Sequence, residues 1–392
     1  MIALLSSFFI PDRENRTDPD VRRRYGVLCG AVGIVLNIIL FIAKFIAGLL
    51  SSSIAITADA VNNLSDAGSS LVTLIGFKLA GQAPDPDHPF GHGRFEYISG
   101  LVVAFLILMM GIELLKSSVD KILHPAPIEG GIIVVGILIV SICVKLYMYS
   151  YNRAIGKKID SAAMKATAMD SLSDTVATSA VLVATIVGTV TDWMIDGWIG
   201  IVVAMFILYS GVQAAKETIS PLLGQPPERE FVEQIERIVL SYEQIRGIHD
   251  LVVHNYGPGR LMISLHAEVP AHGDILALHD MIDNVEQQLR QELKCDAVIH
   301  MDPVVTDDPQ VNTLKQLVLD KMKEISSCLS LHDFRIVAGP THTNVLFDIV
   351  VPYDCCVSGA EAHRCLKEFV EGLDGHQYNA IIQVDRPYVD EH

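Results

Sequence analysis

Asn62 and Asp66, and again Asp170 and Asp174, stand four residues apart inside apolar stretches long enough to cross a membrane. On a helix that spacing points both side chains of a pair the same way. Two such pairs supply four convergent oxygen donors with no sulfur or imidazole among them, which is the ligand set of a hard divalent cation. A carboxylate is costly in hydrocarbon, so acids at that depth are read first as functional. An ordinary structural role is open as well. An intramembrane Asp can pair with a lysine, and Lys44 and Lys145 lie in neighbouring apolar runs. Two spaced pairs without a local basic partner favour the cation site.

The elements that must hold these pairs follow from hydropathy. Apolar segments at about 26–50, 54–80, 95–117, 130–150, 160–190 and 197–218 each approach the ~20 residues that span hydrocarbon. Arg22, Arg23 and Arg24 precede the first span, Lys78 and Arg94 flank the second loop, and Arg153, Lys157 and Lys158 fill the fourth. The positive-inside rule then puts both termini in the cytoplasm. The second span runs inward and the fifth outward. At 1.5 Å per residue, Asp66 lies about 21 Å and Asp170 about 18 Å from the cytoplasmic ends of their spans, so the two pairs are level. Ala58, Ala60, Ala67 and Gly68, with Ala163, Ala166, Ala168 and Ala177, allow the two helices to approach closely. The apolar stretch Met1 to Ile10 lacks a basic start and a cleavage site and is too short to span, so it is expected on the membrane surface.

Charge divides the chain in two. Through residue 225 there are 16 basic and 18 acidic residues; from 226 onward there are 13 and 28, together with 11 of the 14 histidines. So acidic a region repels nucleic acid and anionic lipid and gathers cations, which argues against a nucleic-acid partner. After Pro226-Pro227 the pattern turns to soluble α/β. A helix over 228–242, strands over 249–256 and 260–269 joined at Tyr256-Gly257-Pro258-Gly259, a helix over 274–293 and a strand over 296–302 are expected. The same order returns as a helix at 311–325, strands at 332–338 and 344–351, a helix at 358–372 and a strand at 379–386. Sequence echoes accompany it: His249-Asp250 with His332-Asp333, Glu268-Val269-Pro270 with Val350-Val351-Pro352, and Ala297-Val298-Ile299 with Ala380-Ile381-Ile382. Two tandem copies of one open-sheet domain are the natural reading. The expected boundaries are a cytoplasmic segment 1–25, a six-helix membrane domain 26–225, an αββαβ domain 226–308 and its repeat 309–392. Seven cysteines with no CxxC pair suggest no disulfide framework, and Cys355, Cys356 and Cys365 read as small reduced residues rather than as a soft-metal site.

Six spans, acids on spans two and five, and a soluble αββαβ domain resemble the cation diffusion facilitator family from about residue 20 to 305. The likeness rests on Asp66-Ala67-Gly68, Phe90-Gly91-His92-Gly93-Arg94, Asp170 to Asp174 and His300-Met301-Asp302-Pro303. It implies a homodimeric secondary transporter in the bilayer, not an enzyme, with no cofactor beyond metal. Such a protein exports a divalent metal in exchange for protons, and the bacterial cytoplasmic membrane is the expected location. Zinc transporters of the family commonly carry a histidine in the tetrad, whereas Asn62, Asp66, Asp170 and Asp174 offer only oxygen. The set looks like the manganese branch, with Zn²⁺, Cd²⁺ or Fe²⁺ export as the alternative. The resemblance also marks Asp85, His88 and His92 as a loop metal site, and His249, His266, His300 and Asp302 as a structural or regulatory site of the first soluble domain, with His279 accessory. In the second copy the matching positions are His332, Asp348, Gln383 and Asp385, so that copy has lost imidazoles and with them the expected metal. Two other classes are open. A membrane-tethered metal sensor would place the work in the soluble half. An intramembrane aspartyl protease needs one Asp from each of two helices, but its Gly-x-Gly-Asp pattern is absent here.

Overall fold

The computed structural model describes residues 2–11, 19–51, 54–124, 132–191, 196–305, 307–339, 341–373 and 377–387. Parts of the expected N-terminal segment, of the loops between spans and of the second repeat (12–18, 52–53, 125–131, 192–195 and 388–392) lie outside the described residues. The chain forms two compact units: one comprises Met1–Gln225 with Asn255–Arg260, and the other Pro226–His254 with Leu261–His392.

The first unit is helical. A short α1 (Ile2–Phe9) precedes six long helices: α2 (Pro19–Ser51), α3 (Ile54–Ala80), α4 (Phe95–Leu123), α5 (Ile132–Lys158), α6 (Ala162–Thr191) and α7 (Asp196–Leu223). Among the described residues, four of these, α2, α4, α5 and α7, contain stretches long and apolar enough to cross a membrane. The other two, α3 and α6, carry the spaced acids and the Ser and Thr residues around them. Large apolar side chains such as Val35, Ile39, Phe105, Met109 and Val202 stand exposed on the outside of the bundle, as lipid-facing positions would.

Small residues set the close approaches inside it. A Cβ at Gly26 of α2 would collide with the Phe77 ring of α3, and one at Gly100 of α4 would fall 3.0 Å from the Ala163 backbone of α6. Only glycine lets these helices lie so near. At the N-terminus, Ile2 and Ile10 are buried in the cluster formed by Tyr25, Phe77, Met148 and Tyr151, and the Ile2 amide donates to Tyr147 Oη at 3.2 Å. α1 is thus packed against the bundle helices, with Phe8 and Phe9 exposed.

The second unit holds two αββαβ repeats. In the first, α8 (Arg229–Val239), β1 (Gly247–Asn255), β2 (Leu261–Pro270), α9 (Ile275–Leu293) and β3 (Cys295–Val304) form a sheet of order β1-β2-β3. In the second, α10 (Pro309–Ile325), β4 (Ser330–Ala338), β5 (Thr343–Val350), α11 (Gly359–Glu371) and β6 (Tyr378–Asp385) form β4-β5-β6. Both sheets pair the middle strand with the last in parallel, the arrangement that needs a helical crossover. Helix starts are capped as the sequence requires: Asp274 Oδ1 accepts from Leu276 N, and Asp308 Oδ1 from Gln310 N. Ile235, Leu265, Val285 and Leu289 fill one core, and Leu314, Val318, Phe347 and Leu366 the other.

The two repeats share one backbone peculiarity. Asp250 and Asp333 both have left-handed φ, 53° and 48°, and the β4–β5 register shifts between His332 and Arg335. The echoed His-Asp dipeptides are thus echoed in conformation. A correction concerns cysteine. Cys328 and Cys355 are joined in a disulfide with Cα atoms 6.2 Å apart. Local spacing could not signal it, because the partners come from the turn after α10 and the loop after β5.

Candidate functional site

The two spaced pairs sit where helix geometry puts them, on facing sides of α3 and α6. Asp66, Asp170 and Asp174 are all buried. Thr73 Oγ1 and Thr167 Oγ1 lie 2.7 Å apart and tie α3 to α6 nearby. Between the acids stands Lys145 of α5. Its Nζ donates to Asp66 Oδ2 at 2.7 Å and to Asp174 Oδ2 at 2.6 Å, and only 3% of Lys145 is exposed. Pairing with a lysine of a neighbouring apolar run, the less favoured reading of these acids, is what the structure shows for Asp66 and Asp174. A lysine from a third helix reaches them because α5 packs along α6, and the position of that helix is not written in the spacing of the acids.

The four expected donors are not equivalent. Asn62, Asp66 and Asp174 line one cavity of about 400 Å³ together with Lys44, Lys145 and Glu113. Asp170 lies off that cavity, where it hydrogen-bonds to Ser69 and feels the charges of Asp174, Asp66 and Lys145. Asn62 is exposed and the three acids are buried. What the arrangement can do is hold a cation between carboxylates of two helices in a dry interior, where such attraction is far stronger than in water.

The loop between α3 and α4 gathers Asp85, His88 and His92, one ligand atom of each lying within 4.8 Å of the others. Asp85 Oδ1 accepts from the His88 amide at 2.6 Å, and Asp85 Oδ2 is 3.4 Å from His92 Nε2. That amide bond, with the nearby imidazoles, holds the Asp85 carboxyl below the usual carboxylate range. His92 Nδ1 is 3.2 Å from the Ala83 carbonyl, an orientation that leaves Nε2 as the ligand atom. The Phe90-to-Arg94 motif is explained by packing within the same unit. Phe90 stacks on Tyr256 with centroids 4.4 Å apart, Arg94 donates to the Asn255 carbonyl at 2.9 Å, and Gly93 leaves room for the Gly257 backbone.

In the first repeat, His266 and His300 are paired in register on β2 and β3, and Asp302 follows two residues on, facing the same side. Asp302 gathers all three imidazoles. His249 Nε2 lies 3.0 Å and His266 Nδ1 2.9 Å from Oδ2, and His300 Nε2 3.2 Å from Oδ1. Burial alone would lift the Asp302 carboxyl, but the hydrogen bonds from His249 and His266 outweigh it and hold it below its ordinary value. Burial likewise works against charge on His249, and the same bond to Asp302 raises its pKa in spite of it. Imidazole and carboxylate donors so assembled suit a zinc-class ion. His279 stays apart, paired with Asp283 on α9 at 3.4 Å.

The structure adds a contact that the motif spacing did not supply. His332 of the second repeat stacks on His249, centroids 4.6 Å apart. The His-Asp echo was the available signal, though nothing local told that the two copies would bring their histidines together.

Comparison with known proteins places these features in a family. Residues 31–223 match the model of the cation efflux transmembrane domain, and residues 227–304 that of the cation efflux protein cytoplasmic domain. A protein of Methanocaldococcus jannaschii described as an uncharacterized transporter is 33% identical over 274 residues, covering 70% of this chain and 96% of that one. The cation-efflux pump FieF of Salmonella newport is 27% identical over 266 residues, 67% of this chain and 88% of the pump.

Proposed function

Because the chain belongs to the cation efflux family, whose members are membrane transporters and not enzymes, we propose that it exports Mn²⁺ in exchange for protons. The route is the site made by Asn62, Asp66, Asp170 and Asp174, on the second and fifth of six spans. The observation that carries this reading is the convergence of Asp66 and Asp174 on one buried ammonium, that of Lys145. Carboxylates of two helices already hold a cation there. A divalent ion brings twice the charge to the same oxygens. For it to enter, Lys145 must withdraw or give up its proton, and when the metal leaves, the ammonium returns to keep the acids from facing each other uncompensated.

The donor set supports manganese over zinc, since amide and carboxylate oxygens suit a hard ion and zinc prefers nitrogen and sulfur. Fe²⁺ has the same donors available. Protons follow from charge: with no metal bound, the one ammonium of Lys145 balances only one of three carboxylates, so the empty site holds further protons, and a bound divalent ion drives them off. In this reading the protein is a homodimer in the bacterial cytoplasmic membrane with both termini inside. Asp85, His88 and His92 hold metal at the cytoplasmic side, and His249, His266, His300 and Asp302 hold a structural or regulatory one.

Sealed proteoliposomes with an imposed pH gradient test it. Mn²⁺ uptake faster than Zn²⁺ uptake, accompanied by opposite proton movement and lost in Asp170→Ala, is expected. Full-rate metal movement with no internal pH change would make the protein a uniporter. Wild-type uptake by Asp170→Ala would remove that residue from the site.

A further inference from the structure

The junction of the two soluble repeats holds a second cluster, which shares His249 with the Asp302 site and adds Asp250 and His332, residues the transport reading does not use. His249 and Asp250 come from β1 of the first repeat and His332 from β4 of the second, and one ligand atom of each lies within 4.8 Å of the others. We propose that His249, Asp250 and His332 form a divalent-metal site of the zinc class that clamps the second repeat onto the first.

Unused ligand atoms carry the argument. His332 is deeply buried, its relative exposure being 7%, and among the described residues neither of its ring nitrogens has a hydrogen-bond partner; His249 Nδ1 has none there either. Buried imidazole nitrogens are ordinarily paired, and a ring with both unpaired needs an explanation. A metal ion supplies one, because it takes a lone pair that no donor here meets. His249 is prepared for that role. Its Nε2 is engaged by Asp302 Oδ2 at 3.0 Å. With the proton on Nε2, Nδ1 is bare and Asp302 stands behind a metal-binding imidazole in the usual arrangement; His249 then serves this site, and the Asp302 site keeps His266, His300 and Asp302.

Geometry and charge point the same way. The rings of His249 and His332 are stacked at an interplanar angle of 29°, so the two residues meet at one spot. Asp250 holds a left-handed backbone conformation that ordinary residues avoid, and its carboxylate is the third donor in the cluster. A cavity of about 510 Å³, lined by residues of both repeats including Arg229, Glu233 and Arg386, opens onto the three ligands. Two imidazoles and a carboxylate with an open position for water make a recognised zinc ligand set. The lost imidazoles of the second repeat are then beside the point. That copy contributes a single histidine, and the first copy completes the site.

The test uses full-length protein in detergent, stripped of metal, in an Asp170→Ala background that removes the transport site from the count. Zn²⁺ is titrated by calorimetry, and Co²⁺ serves as a spectroscopic probe of imidazole ligation. Compared with that background, His332→Phe, which fills the space without a ligand atom, should lose one equivalent of bound Zn²⁺, or bind it at least about 100-fold more weakly. It should also lose part of the Zn²⁺-induced rise in melting temperature. His300→Ala should keep this equivalent. Asp250→Asn provides the second variant should His332→Phe fail to fold, with weaker binding expected again. Unchanged Zn²⁺ stoichiometry, affinity and Co²⁺ spectrum in whichever variant folds would overturn the site. Transport in proteoliposomes is read separately, so failure here leaves the transport reading standing, and the reverse.

Discussion

Lys145 Nζ lies 2.6 Å from Asp174 Oδ2, inside a helical bundle where neither group meets water freely. With Asp66 on its other side at 2.7 Å, the lysine serves as the resident counter-charge of the pair of acids. Buried ion pairs contribute little net stability when intact, but removing one partner is expensive, on the order of 3–5 kcal/mol, because a charge is left uncompensated.

Lys145→Met should therefore melt earlier than wild type in the absence of metal. Added Mn²⁺ should raise its melting temperature more than it raises that of wild type, because the metal no longer competes with an ammonium. Thermal unfolding in detergent with and without Mn²⁺ measures both. Equal Mn²⁺-induced shifts in the two proteins would show that Lys145 and the metal do not share the site.

Asn62→His should move preference toward zinc. The substitution replaces a hard amide oxygen with an imidazole nitrogen at the cavity that Asp66 and Asp174 also line. Competition uptake in proteoliposomes gives the Mn²⁺/Zn²⁺ rate ratio, expected to fall about tenfold, or ~1.4 kcal/mol of differential binding. A ratio that does not change would place selectivity in helix packing instead.

Asp348 makes stability depend on pH. Burial first, then the charges of Asp385, Asp333 and Asp250, push its carboxyl up to about 6, with His249 opposing. The unfolded value is about 3.9. Between about 4 and 6 the native state binds more protons than the unfolded one, so stability falls as pH rises through that window. Above it the full penalty is present. Asp348→Asn, with chelator present, should be more stable than wild type at about pH 7–8, and the difference should shrink to nothing as pH falls toward about 4. Hydrogen exchange of β5 amides across that range reads it directly, and a pH-independent difference would exclude the carboxyl as its source.

Local periodicity is enough to read a good deal of this protein. Four-residue spacing in apolar runs marks Asn62/Asp66 and Asp170/Asp174, because a helix turns every 3.6 residues whatever surrounds it. Alternation and turn residues locate both αββαβ repeats to within a few positions, since strand and cap signals also act over a handful of residues. Tertiary packing decided the rest. Which helix brings a lysine to the acids depends on how α5 lies along α6. Lys145 is 29 residues from Asp174 and 79 from Asp66, and over such separations no spacing rule announces a contact. Asp170 and Asp174 share a helix face by periodicity, yet packing put Asp174 on the cavity and Asp170 beside Ser69. His332 met His249 for the same reason. The echo of His-Asp is visible in the chain, while the docking of one repeat on the other depends on surfaces assembled from residues far apart in sequence.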